Sequence, residues 1–161
     1  MFFLAFIFGL LSAVLALVLE IIFIAPTSFP ELTALSWSFK SILILATIAL
    51  IEEVSKYLLL TQYLLRFATE SLIRIPQKIL FGCLFGLGFG AVELTLAYYS
   101  TPLPGMGSGF FGIAMLHIIT SLILLFLFFQ FADTRKRLLI PLAGAILVHL
   151  LYNVLLSFFL A

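Results

Sequence analysis

Charge is what this chain has least of. Only 9% of its 161 residues are Asp, Glu, Lys or Arg, against roughly 25% in a soluble globular domain. A soluble fold of this size is therefore excluded, because too few groups are left to cover its surface with charge. A nucleic-acid partner is excluded as well: eight Lys and Arg stand against seven Asp and Glu, for a formal net charge of +1, with no basic stripe to neutralise phosphates. Cysteine is nearly missing, and Cys83 alone cannot form an internal disulfide. Internal repeats and low-complexity segments are absent too.

What remains is apolar: 65% hydrophobic, 16% aromatic, mean hydropathy +1.34. The long apolar runs predict an all-α polytopic membrane protein, a bundle of about five transmembrane helices in a single domain over 1–161. The spans are expected at about 2–25, 39–65, 79–99, 110–131 and 138–160. The first run has no Lys or Arg before it and exceeds a signal-peptide core in length, so it is read as a retained helix. Pro26, Ser28, Pro30, Glu31 and Thr33 fill the first connection, and Pro and Gly fill the third, at 100–109.

Cations gather in two connections. Arg66, Arg74 and Lys78 flank the second, and Arg135, Lys136 and Arg137 the fourth, while the first has only Lys40 at its edge. By the positive-inside rule these two connections face the cytoplasm, with the N-terminus inside and the C-terminus outside. Trp37, Tyr98 and Tyr99 then fall at the outer interface, where aromatic side chains concentrate. The expected partner is the lipid bilayer, and the expected location is integral to a prokaryotic plasma membrane.

Against this background, the polar residues inside the spans stand out. Glu52, Glu53 and Lys56 lie in the second span, Glu93 in the third, His117 in the fourth, and His149 with Asn153 in the fifth. A charged side chain at mid-bilayer costs about 2.5–3.5 kcal/mol, so the four Glu and Lys would cost on the order of 10 kcal/mol unpaired. Depth allows them to compensate one another. At 1.5 Å per residue, Glu53 lies about 20 Å from Arg66, Glu93 about 22 Å from Lys78, His149 about 18 Å from Arg137 and His117 about 27 Å from Arg135. Lys56 shares a helix face with both Glu52 and Glu53, His149 with Asn153, and His117 with Thr120 and Ser121. Gly82, Gly86 and Gly90 recur every fourth residue toward Glu93, a stripe that lets a neighbouring or substrate helix approach the carboxylate. Glu20, near the outer end of the first span, is expected to snorkel to the interface and to be structural.

Four sequence pieces carry a resemblance: EEVSK at 52–56, GLGFGAVE at 86–93, the isolated His117 after a Gly-rich loop, and HLLYN at 149–153. In this order the chain resembles the PrsW intramembrane proteases, and more distantly the CAAX-processing and bacteriocin-processing membrane proteases. Leu94 departs from the pattern, standing where the family usually has Asn, and the chain is short, with little expected outside the membrane. The resemblance implies hydrolysis of a peptide bond in a membrane-tethered protein, such as an anti-sigma-factor-like regulator. It gives Glu52 the role of general base, Glu53 and Lys56 its electrostatic support, and His117 the orientation of water or a metal. His149 and Asn153 become an oxyanion hole, or a ligand with its outer-shell partner. A divalent metal, zinc foremost, is favoured over none, and Glu93, His117 and His149 would form a two-histidine, one-carboxylate set. A small proton- or ion-coupled transporter or channel also places Glu, His and Lys at mid-membrane. A transport path, however, needs polar residues reaching both surfaces. A non-catalytic membrane scaffold is the third alternative. The topology has its own test: cysteine labelling should find the 132–137 connection on the cytoplasmic side and 100–109 opposite it. Labelling of both from one side would contradict it.

Overall fold

The computed structural model describes residues 2–24, 39–67, 74–100, 107–131 and 133–160. They form five helices, α1 (Phe2–Phe23), α2 (Phe39–Phe67), α3 (Ile75–Ser100), α4 (Gly107–Gln130) and α5 (Thr134–Leu160), with no strand among the described residues. Trp37 and most of the first connection lie outside them. Four helices, α1, α3, α4 and α5, are long and apolar enough to cross a membrane. At 29 residues α2 is the longest, but Glu52, Glu53 and Lys56 interrupt its apolar course.

Three helices begin earlier than the apolar runs do, because polar and Gly residues join their first turns. α3 starts at Ile75, with Pro76 in the first turn, where a missing N–H costs nothing. Its start is closed by the Arg74 carbonyl, which accepts from the Gln77 and Lys78 amides at 3.1 and 3.2 Å. α5 starts at Thr134 because Asp133 Oδ1 accepts from the amides of Arg135 and Lys136 at 2.7 and 3.1 Å, capping the helix. The three cations expected in a connection thus ride on the first turn of α5. α4 likewise takes Gly107 from the expected 100–109 loop.

Around the bundle, α1 packs on α2 and α3, α3 on α4, α4 on α5, and α5 returns to α2, which also touches α4. The outside is apolar, with Leu11, Val14, Leu43, Leu50, Leu147 and Leu151 exposed, whereas Glu53, Lys56, His117, Thr120 and His149 are buried. This inverts the pattern of a soluble protein and suits a lipid surround.

One end of the interior is apolar. Tyr57, Leu60, Tyr63, Leu64, Phe81, Phe85, Leu124, Leu125 and Ala145 make one buried apolar cluster. It occupies the ends of α2 and α4 and the beginnings of α3 and α5, which carry Lys78 over the Phe129 ring at 4.4 Å and Arg137 over Phe128 at 5.5 Å.

Close backbone approach sets the spacing of the helices. Gly9 of α1 faces the Phe85 carbonyl, and Gly88 of α3 faces the Phe6 carbonyl, each too near for a Cβ. On a second face of α3, a Cβ at Gly86 would meet the backbone of His117 and Ile118 at 2.5–2.7 Å. The expected glycine stripe is therefore used against α4, and it sets the distance at which His117 stands from α3. At Gly90 a Cβ would meet Ala114 Cα and His117 Cδ2 at an ordinary 3.5 Å. Gly86→Ala should accordingly destabilise the detergent-solubilised protein by about 1–3 kcal/mol, as overpacking does, with Gly90→Ala near neutral. Thermal unfolding of the two variants checks this, and equal midpoints would contradict it.

Candidate active site

The centre of the bundle is built on α2. Lys56 projects inward, fully buried, and its ammonium uses three N–H donors on three partners. It donates to Glu53 Oε1 at 2.7 Å, to His117 Nδ1 at 2.8 Å and to Thr120 Oγ1 at 3.0 Å. The Phe89 ring of α3 lies under it, 4.3 Å from nitrogen to centroid. α2, α3 and α4 thus meet at one buried cation.

Because Nδ1 of His117 accepts from an ammonium, its Nε2 carries the proton, and that N–H donates to Glu93 Oε2. His149 is arranged the other way round. Its Nδ1–H donates to Glu53 Oε1 at 2.7 Å, leaving the lone pair of Nε2 toward Glu52 Oε2, 3.9 Å away. The two imidazoles stand edge to face, 5.6 Å between centroids. Each histidine is therefore backed by a carboxylate, Glu93 behind His117 and Glu53 behind His149, an arrangement that fixes ring orientation in metal sites.

Glu52, His117 and His149 are all buried, and one ligand atom from each lies within 4.8 Å of the others. Glu52 Oε2 and Glu53 Oε2 are buried without a hydrogen-bond partner, and such orphaned acceptors call for a cation, a proton or water. Two imidazole nitrogens and a carboxylate oxygen are the donor set of catalytic zinc sites. The residues present fit a divalent ion, which Glu52, His117 and His149 would hold.

Of the residues expected from the sequence, Glu52, Glu53, Lys56, Glu93, His117 and His149 come together. Asn153, one turn beyond His149, is half-buried, and its side chain makes no hydrogen bond to described residues. The metal set expected from the sequence used Glu93, whereas the carboxylate grouped with both histidines is Glu52. Glu93 is also the more exposed of the two, with 38% of its side chain accessible.

Two residues were missed. Phe89, between Gly88 and Gly90, has no sequence signature beyond its neighbours. Glu20 was expected at the interface, yet it lines one cavity with Glu52 and Glu93. Its signal was present: Ala5, Gly9, Ala13 and Ala16, all buried small residues of α1, recur at helical spacing and lead to Glu20, marking the face that packs on the bundle. No curated protein and no solved structure matches the chain. The family model described as PrsW family intramembrane metalloprotease, however, matches residues 1–161. With a buried histidine–carboxylate centre inside apolar helices, the chain belongs to the PrsW family of intramembrane metalloproteases and is a membrane-embedded peptidase.

Proposed function

We propose that this peptidase hydrolyses a peptide bond of a membrane-tethered protein, an anti-sigma-factor-like regulator being the expected kind, using Glu52, His117 and His149 to hold a divalent ion, zinc foremost. The observation that carries this reading is the convergence of three buried donor atoms within 4.8 Å, drawn from α2, α4 and α5. When bound, the ion supplies Lewis-acid polarisation of the scissile carbonyl and of the attacking water.

The chain's own residues account for the rest. Glu53 holds His149 by Nδ1 and is itself neutralised by Lys56. Glu93 holds His117 through Oε2, while its Oε1 has no partner among the described residues and the side chain borders the cavity. This favours Glu93, rather than Glu52, as the general base. Its Oε1 takes a proton from water as the water oxygen attacks the carbonyl carbon. It passes that proton to the amine nitrogen as the C–N bond breaks. The Lys56 ammonium offsets the negative charge that develops in between. The Asn153 amide, unengaged with the cluster, is left for the substrate backbone.

Transport is the weaker reading, because the apolar cluster from Tyr57 to Leu125 closes one end of the polar layer. Those closed ends carry the cations, which supports a cytoplasmic N-terminus, and hence an active centre approached from the outer half of a prokaryotic plasma membrane.

The two carboxylate roles separate experimentally. Glu52→Gln, His117→Ala and His149→Ala should each lower bound metal and abolish cleavage of a membrane-tethered reporter by the purified protein. Glu93→Gln should keep its metal while cleavage falls by about 10²- to 10⁴-fold, as expected for a lost acid/base group. Full cleavage by Glu93→Gln would remove the base role from Glu93. Full cleavage after metal stripping would remove the ion.

A further inference from the structure

Among the carboxylates expected within the spans, Glu20 is the one that the mechanism above does not use. It lies on α1, which contributes no other ionisable side chain, one turn before the end of the helix at Phe23. The cavity it borders is walled by Ala13, Ala16 and Phe89, with Glu52 and Glu93 completing the polar side, and has a volume of about 40 Å³. A cavity holds a water once it exceeds about 10–15 Å³ and offers two to four polar partners. This one has the room of a few waters. Three carboxylates, Glu20, Glu52 and Glu93, border it and offer those polar partners.

The position of Glu20 is imposed rather than incidental. Gly9 against Phe85 and Gly88 against Phe6 lock α1 to α3 at backbone contact. Buried Ala13 and Ala16 continue that face toward Glu20. The carboxylate is half-buried, with the bundle on one side and the end of the helix on the other.

We propose that Glu20 is a water-positioning residue, which holds the water in the cavity between α1, α2 and α3 and supplies it to the centre formed by Glu52 and Glu93. Glu20 accepts hydrogen bonds from water while staying outside the reacting atoms, and it is the polar step between the helix end and the buried carboxylates. The role rests on the peptidase reading for its consequence in catalysis, but the wet cavity does not.

Silver ion, which reacts with thiols only where water reaches them, tests the cavity without any assay of cleavage. In a Cys83→Ala background, Ala16→Cys lines the cavity and should react. Val14→Cys, on the lipid-facing side of the same helix, should not. Adding Glu20→Leu should slow the silver reaction of Ala16→Cys by about tenfold or more, because a cavity stripped of polar partners dries. Glu20→Gln, still able to hold water, should stay within about threefold. In cleavage of the membrane-tethered reporter, Glu20→Leu should lower kcat by about tenfold or more with KM within about twofold, as for a misplaced reactant. Glu20→Gln should restore most of it. An unreactive Ala16→Cys, or Glu20→Leu matching the parent in silver rate and kcat, would overturn the proposal. Loss of cleavage by the parent chain would strike at the peptidase reading instead, and would leave the silver result standing.

Discussion

The Lys56 ammonium is a full charge buried inside the bundle, and most of the interior can be traced from the need to satisfy it. An ammonium removed from water carries a penalty of several kcal/mol unless its protons are taken by well-placed acceptors. Here the acceptors come from two helices, Glu53 on α2 itself and His117 with Thr120 on α4. Meeting that demand fixes the His117 tautomer, which in turn directs Nε2–H to Glu93 on α3. The other consequence runs through Glu53, whose Oε1 also receives the His149 proton from α5. One buried cation thus ties four helices into a single arrangement, and the same bonds prepare two histidines and leave acceptors on Glu52 and Glu53 unfilled.

Packing supplies the distances at which those bonds are possible. Without a hydrophobic drive between helices in lipid, close association relies on small residues at the contacts. α3 uses glycine on two faces, Gly88 toward α1 and Gly86 toward α4, and so carries Glu93 between them. The apolar cluster around Tyr63 and Phe85 then seals the end that bears Lys78 and Arg137. The polar layer is left open toward Glu20 and Glu93, a geometry suited to admitting water from one side.

Much of this was legible in the residues. Apolar runs gave helix number, and helical spacing put Lys56 beside Glu53 and linked His117 with Thr120. Helix starts at Ile75 and Thr134 were less legible, because a cap such as Asp133 overrides the apolar boundary. The pairing of carboxylates with histidines was not legible, since depth along a helix says nothing of rotation across the bundle: Glu52 and Glu93 sit at similar levels, yet only Glu52 groups with both imidazoles. Glu20 carries two signals at once. Distance from the helix end suggested the interface, while the buried small residues preceding it pointed inward.

The central claim is that Glu52, His117 and His149 hold one divalent ion. X-ray absorption spectroscopy of the purified, zinc-loaded protein tests it most directly. The account predicts a first shell of nitrogen and oxygen with the outer scattering of two imidazoles, at one ion per chain, falling to one imidazole in His149→Ala. A shell without imidazole scattering, or an unchanged spectrum in His149→Ala, would contradict it.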